Sequence, residues 1–111
     1  MKHKTTDRAK VVAKKRYGFC CAVTGLNTKY AAIDGCHIFP AGSYPQFKNY
    51  DENIVPCNRQ FHLLKLDQSG NYLNEPTKRI AILSECVIPD FRQRFLEQMD
   101  ELNNLVKGET K

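Results

Sequence analysis

Two histidines, an asparagine and a lysine stand at spacings that suggest one chemical site. His37 lies in "DGCHIFP", Asn53 follows sixteen residues later, and His62 and Lys65 come nine and twelve residues after Asn53. An imidazole is largely neutral near pH 7, so it can accept a proton from water or bind a metal ion. Each residue alone also has a structural explanation, as a strand end, a turn residue or a helix side chain. Their order and spacing together indicate function.

The elements around these residues are predicted to be two strands, a long loop and a helix. Residues 30–39, "YAAIDGCHIF", and the run "NIVPC" are typical of strands, and Gly35 predicts a local irregularity in the first. Residues 40–52 contain two prolines and a glycine, so they form a loop of a length that is usually functional in a compact domain. Asn58 can cap a helix over residues 59–67.

Helices are predicted on both sides of this core. Residues 5–17 form a basic helix that Thr5 or Thr6 can cap, and another short helix begins at Pro76. The last helix has one apolar face, with residues spaced by three or four at Ile88, Phe91, Phe95, Met99, Leu102 and Val106. The fold class is therefore α+β in one domain of 111 residues, with a basic helical arm (1–19), a strand–loop–strand–helix core (20–67) and C-terminal helices (68–111).

Positive charge is concentrated at the start of the chain. Residues 1–16 hold seven lysines or arginines and one acid, whereas the net charge of the whole chain is +5. A basic segment on a nearly neutral body is typical of a protein that binds an anionic polymer; a solvated helix face that maintains solubility is the alternative. The residues predicted to contact nucleic-acid phosphates are Lys10, Lys14, Lys15, Arg16 and Arg59.

Several protein classes are excluded by composition. No apolar run approaches the roughly 20 residues that span a bilayer, and the basic start lacks the apolar segment of a secretory signal. A cytoplasmic protein is therefore expected. The five cysteines are an odd number and include no C-x-x-C pair, which favours reduced thiols over a disulfide framework or a four-cysteine zinc knuckle.

In this order the motifs resemble the HNH endonucleases of the ββα-metal superfamily. "HIFP" at 37–40 matches the family's His-Ile-x-Pro. "NIVPCNRQFHLLK" at 53–65 matches the family's second motif, an Asn with a His-x-x-Lys that begins nine residues after it. "CAVTG" at 21–25 is similar to the half-knuckle that often precedes this core. The resemblance covers about residues 20–66. It implies a ββα-metal core, which is a two-stranded antiparallel hairpin with a long loop and a metal-binding helix.

The resemblance also implies an activity and a role for each residue. The chain would be a metal-dependent endonuclease that hydrolyses DNA phosphodiester bonds, of the small stand-alone type found in bacteriophages and mobile elements, and would work in the cytoplasm of a bacterial or phage-infected cell. His37 would be the general base that activates water, and Asn53 would hold the loop and orient that histidine. His62 would bind one divalent ion, Mg²⁺ or Mn²⁺, and Lys65 would contact a phosphate.

The second metal ligand is the first departure from the family pattern. Relatives usually have Asp or His immediately before the general base, and this chain has Cys36 there. A thiolate is a soft ligand and a poor match for Mg²⁺, which prefers oxygen. Asp34, three residues before His37, offers a hard oxygen and is the favoured ligand. Cys36 stays the other candidate, with a buried thiol as its structural explanation.

A structural zinc is not expected, which is the second departure. Many relatives hold zinc with two C-x-x-C pairs, and only Cys21 matches one of those four positions. One ligand of four cannot hold zinc. The residues at the other three positions are Thr24, Asn58 and Phe61, of which Phe61 is predicted to fill the space with apolar contacts.

Three functions remain as alternatives. The leading hypothesis is the DNA endonuclease, with DNA as partner through its phosphate backbone. The second is a non-catalytic nucleic-acid-binding domain that keeps the ββα scaffold but has a degraded metal site, and Cys36 is the residue that favours it. The third is a cytoplasmic interaction protein that uses the C-terminal helix and for which the motif spacing is accidental.

Overall fold

In the described part of the chain, four longer helical segments surround one two-stranded antiparallel hairpin, and two short 3₁₀ helices, Pro45–Phe47 and Asp51–Asn53, lie between its strands. The computed structural model describes residues 1–27, 29, 32–67 and 75–109, except for the side chains of Leu64, Lys65, Asp67 and Glu109. The elements are α1 (Thr6–Arg16), β1 (Ile33–His37), β2 (Ile54–Asn58), α2 (Arg59–Phe61, continued by a π-helical segment His62–Asp67), α3 (Pro76–Cys86) and α4 (Pro89–Glu109). The α+β class is confirmed, and so are the two paired strands. The break predicted at residues 68–71 lies outside the described residues.

The hairpin has an uninterrupted register. Ile33 pairs with Asn58, Gly35 with Pro56 and His37 with Ile54. The irregularity predicted at Gly35 is therefore wrong, and the glycine has another explanation. A Cβ built there would lie 2.6 Å from Lys10 Cγ, so the absent side chain leaves room for a helix to cross the strand.

Helix α1 covers one face of the hairpin. Thr5 caps the helix, because its hydroxyl accepts a hydrogen bond from the Arg8 amide at 3.1 Å. Ala9 and Ala13, one turn apart, are fully buried and pack on Ile54 of β2. The small alanines allow the helix to lie close to the strands, so the basic helical arm is docked on the core.

The main core lies on the opposite face of the hairpin. Because side chains alternate along a strand, this face receives Cys36 from β1 and Val55 and Cys57 from β2. The helices add the rest of the buried cluster, which includes Tyr17, Ala22, Leu66, Leu83, Val87, Phe95, Met99 and Leu102. The apolar face predicted for α4 is confirmed at its centre, where Phe95 and Leu102 are almost completely buried.

Gln98 joins α4 to the hairpin through buried hydrogen bonds. Its Nε2 donates to the carbonyl oxygens of Glu52 (2.9 Å) and Ile54 (2.8 Å), and its Oε1 accepts from the Tyr17 hydroxyl at 2.6 Å. These bonds satisfy polar groups that would otherwise be costly to bury. They fix α4 against the start of β2.

The N-terminal residues hold the end of the long loop through Asp51. The Asp51 carboxylate accepts hydrogen bonds from His3 Nε2 and Arg16 Nη2, both at 2.8 Å, and lies 3.3 Å from the Met1 amino group. Burial raises the pKa of Asp51, but the hydrogen bond from His3 and the charges of Met1 and Arg16 lower it by more. The pKa therefore lies below the usual 3.8. This cluster fixes the chain two residues before Asn53.

No helix among the described residues is long and apolar enough to cross a membrane.

Candidate functional site

His37 stands at the end of β1 with its ring held by the loop. Its Nε2 is 2.9 Å from the Lys48 carbonyl oxygen. A carbonyl oxygen can only accept a hydrogen bond, so Nε2 carries the proton and Nδ1 carries the lone pair of the neutral ring. The loop thereby fixes both the orientation and the tautomer of the residue predicted to be a general base.

The surroundings of His37 favour its neutral form. Burial of the half-exposed ring lowers its pKa below 6.5, the bond to Lys48 opposes this effect, and the charges of Lys10, Arg79 and His62 lower the pKa further. Desolvation and neighbouring cations both penalise the imidazolium. The ring is therefore able to accept a proton near neutral pH.

Asn53 holds the loop in place through hydrogen bonds of its side chain and its carbonyl oxygen. The side chain is fully buried. Its Oδ1 accepts from the Phe39 amide at 2.7 Å, and its Nδ2 donates to the carbonyl oxygens of Phe39 (3.0 Å) and Phe47 (3.2 Å). Its own carbonyl oxygen accepts from the Ile38 amide at 2.9 Å. Asn53 therefore connects both ends of the loop to the residue that follows His37.

Asp34 and His62 are brought together on the other side of β1. His62 Nδ1 donates to Asp34 Oδ2 at 3.0 Å, and Arg59 Nε donates to Asp34 Oδ1 at 3.2 Å. Burial raises the pKa of Asp34, but these two hydrogen bonds lower it by more, so its pKa lies below the usual 3.8. An ion bound by both side chains would therefore take the place of the proton that His62 Nδ1 now shares with Asp34 Oδ2.

Helix α2 positions His62 through a cap and a change of pitch. The Asn58 side chain accepts from the amides of Gln60 (2.8 Å) and Phe61 (3.3 Å), so the helix begins directly after β2. From His62 onward the helix is π-helical, a form that occurs frequently at functional sites. Phe61 packs against the main core, as predicted.

Cys36 is buried beside His62. Burial raises the pKa of its thiol, but hydrogen bonds with the Cys57 and His62 side chains lower it more, to about 7. The hydrogen bond with Cys36 and burial both raise the pKa of Cys57. The third buried thiol, Cys21, accepts from the Asn58 amide at 3.0 Å. All five cysteines of the chain are free.

The donor set fits a divalent cation that keeps much of its water. An ionised Asp34 beside His62 supplies one oxygen and one nitrogen, and Mg²⁺ typically binds one or two protein groups and several waters. Among the described residues, no group of three or more His, Cys, Asp or Glu side chains is arranged to hold a metal ion. A metal bound at Asp34 and His62 would take its other ligands from water or phosphate.

Arg79 belongs to the site and was missed from the sequence. Its guanidinium, in α3, donates from Nε (3.0 Å) and Nη2 (2.7 Å) to the His37 carbonyl oxygen and from Nη1 (2.9 Å) to the Leu66 carbonyl oxygen. It therefore ties the end of β1 to the helical segment that carries His62. The available signal was its position four residues before Leu83, on the face that α3 buries.

The residues predicted to bind phosphates divide into two groups. Arg16 is paired with Asp51 and Glu101, and Arg59 is paired with Asp34. In the part of the chain that the structure describes, the other three residues form no ion pair; they are Lys10, Lys14 and Lys15. Lys65 lies in the π-helical segment, and its side chain is outside the described part, so its predicted role stays a prediction.

Comparison of the chain with protein-family models, with curated proteins and with solved structures finds no match.

Proposed function

We propose that this protein is a metal-dependent endonuclease that hydrolyses phosphodiester bonds of DNA, with His37 as the general base. The observation that carries the proposal is the hydrogen bond from His37 Nε2 to the Lys48 carbonyl oxygen, at 2.9 Å. It leaves Nδ1 as the basic atom of a neutral ring, which is what water activation requires. The motif spacing of the HNH endonucleases supports the same role.

The proposed step is an in-line attack of water on phosphorus. Water gives its proton to His37 Nδ1 while its oxygen forms a new bond to phosphorus, and the bond from phosphorus to the 3′ oxygen breaks. The 3′ oxygen takes a proton from solvent, and His37 returns its proton to solvent. Asn53 keeps the loop, and through it the Lys48 carbonyl, in the position that orients the base.

Asp34 and His62 would hold the divalent ion. When bound, that ion would supply positive charge to the scissile phosphate and the leaving oxygen. Arg59, which binds the other oxygen of Asp34, would orient this carboxylate. Cys36 contacts the His62 side chain and is almost completely buried, so it would support the histidine from the core side.

A non-catalytic nucleic-acid-binding domain is the second candidate. Two observations favour it: a buried thiol stands directly before His37, and the described residues offer no set of three metal ligands. Under this alternative, the basic helix binds phosphates and the Asp34–His62 pair is only an ion pair. Hydrolysis is the property that separates the two candidates.

The test is incubation of the full chain with supercoiled plasmid in EDTA, Mg²⁺, Mn²⁺ and Zn²⁺. We expect nicking with Mg²⁺ or Mn²⁺ and none in EDTA. His37→Ala should lower the cleavage rate about 10²–10⁴-fold, the usual contribution of a positioned base, and leave metal affinity unchanged in calorimetry. His62→Ala should weaken metal affinity, and a higher Mn²⁺ concentration should restore part of the rate.

His3→Ala is the control for the loss of an imidazole that is not proposed to react, because His3 is the remaining histidine of the chain. Its side chain binds Asp51, so any loss of stability in this variant is measured beside its activity. All variants are assayed well below their unfolding temperatures. If His37→Ala abolishes metal binding and His62→Ala does not, the two roles are reversed. If wild-type protein binds DNA but cleaves it with none of the metals, the binding domain is the correct candidate.

A further inference from the structure

Lys10 crosses β1 at Gly35 with unusually little space. A Cβ on Gly35 would lie 2.6 Å from Lys10 Cγ and 3.1 Å from Lys10 Cβ. Carbon atoms in contact are normally about 3.5–4.0 Å apart. The aliphatic part of the lysine therefore lies directly on the strand at a point where any other residue would exclude it.

Gly35 and His37 point to the same face of the hairpin, since side chains two apart on a strand share a face. Lys10 thus lies on the side of β1 that also carries the proposed base. The influence of the Lys10 charge on the pKa of His37 agrees with this closeness. On this face, the loop carbonyl of Lys48 completes the surroundings of the imidazole.

The loop is fixed against the same helix. The Thr6 hydroxyl donates to Asn49 Oδ1 at 2.7 Å, and the His3 amide donates to the Asn49 carbonyl oxygen at 2.9 Å. Thr6 stands one turn before Lys10 on α1. The helix α1, the end of β1 and the loop therefore meet around His37. The contact of Lys10 with Gly35 places this lysine of α1 beside His37.

Lys10 is also available to an external anion. Arg16 on the same helix is paired with two carboxylates, whereas Lys10 forms no ion pair within the described residues. We propose that Lys10 binds the nucleic-acid phosphate that faces His37, and that Gly35 is the residue that allows it to do so. This inference rests on the proposed function. It assigns the contact with that phosphate to Lys10 alone and not to the basic residues of α1 together.

The experiment compares Lys10→Met, which keeps the stem over Gly35 and removes the charge, with Arg8→Met. Arg8 is exposed and lies on roughly the opposite side of α1, so the control removes the same charge from the same helix. Binding of a fluorescent DNA duplex is measured in EDTA over a range of salt concentrations. Single-turnover cleavage is measured separately with Mn²⁺ at saturating protein.

Lys10→Met should reduce the slope of log affinity against log salt by about 0.9, the value for one phosphate contact. It should also slow single-turnover cleavage about 10–100-fold, because the charge acts on the reacting phosphate. Arg8→Met should change the slope by much less and the rate less than about threefold. Lys10→Arg, which keeps the charge, should recover most of the slope and rate.

The outcomes separate this inference from the nuclease proposal. Active wild-type protein with equal effects of Lys10→Met and Arg8→Met on slope and rate would overturn the role of Lys10 alone. Wild-type protein that binds but never cleaves, with the slope lost only in Lys10→Met, would reject hydrolysis and retain the phosphate contact. Thermal unfolding of each variant shows that the measured changes come from folded protein.

Discussion

Replacing Gly35 by alanine should destabilise the protein although the glycine sits in a regular strand. The new methyl group would lie 2.6 Å from Lys10 Cγ and 3.1 Å from both Lys10 Cβ and Ile54 Cγ2. Normal contact needs about 3.5–4.0 Å, so the lysine stem must move by about 1 Å. Rotation about the Lys10 side-chain bonds moves Cγ but leaves Cβ in place, so helix α1 must also shift.

The size of the effect follows from two opposing terms. Overpacking of this kind costs about 1–3 kcal/mol, and the loss of glycine flexibility in the unfolded chain returns about 0.4–1 kcal/mol. From the middle of each range, the net loss in the free energy of unfolding should be about 1 kcal/mol. For a domain of this size that corresponds to a decrease of about 4–8 °C in Tm.

Urea denaturation followed by circular dichroism measures this loss, and Gly42→Ala is the control. Gly42 lies in the loop, and a Cβ built there would meet nothing within 4 Å, so its replacement should be neutral or slightly stabilising. A double-mutant cycle with Lys10→Ala tests the cause. Because Lys10→Ala removes the Cγ atom, the two changes should couple by about 0.5–2 kcal/mol, with the double variant more stable than the sum predicts.

Two results would refute this reasoning. If Gly35→Ala is as stable as Gly42→Ala, α1 is not held against the strand at this point. If the Gly35→Ala loss is real but adds to the Lys10→Ala effect without coupling, the cost comes from a contact other than the lysine stem. The second result would also remove the geometric basis for placing Lys10 near the proposed base.

Two further predictions concern groups that hold the site from outside. Asp51→Asn should lower the free energy of unfolding by about 1–3 kcal/mol at pH 7. Folding lowers the pKa of Asp51 from 3.8, so the stabilisation by its carboxylate is present above pH 3.8 and is lost as the pH falls through the folded-state pKa. Denaturation at several pH values should therefore show the stabilities of variant and wild type converging in acid. A difference in stability that stays constant with pH would contradict this prediction. Arg79→Lys should lower kcat for DNA cleavage with little change in KM, because one ammonium group cannot bind the His37 and Leu66 carbonyl oxygens as the guanidinium does. An unchanged kcat in a folded variant would show that Arg79 has no positioning role.

The elements with local sequence signals were predictable. Thr5 and Asn58 are capping residues next to helical patterns, and the apolar spacing of α4 follows from burial of one helix face. The pairing of the two strands also followed from the sequence and from the resemblance. In each case the deciding interaction is short in sequence or belongs to a known spacing.

The parts that failed depend on contacts between distant segments. Gly35 looked like a strand defect because the helix that needs the space is 25 residues away. Arg79 was not singled out, because its bonds to the His37 carbonyl span 42 residues. Arg16 was grouped with the lysines of α1, although Asp51 and Glu101 both bind it. Charge alone does not tell a paired arginine from an available lysine.

The three buried thiols allow opening of the hairpin to be measured by chemical labelling. Cys21, Cys36 and Cys57 are inaccessible in the folded chain, whereas Cys20 and Cys86 are partly exposed. A thiol reagent should therefore label the latter pair quickly and the buried set only when the strands separate from the helices. When reclosing is faster than labelling, the rate for Cys36 and Cys57 gives the free energy of that local opening. The chain thus allows the breathing motion of its proposed catalytic strand to be measured without an engineered probe.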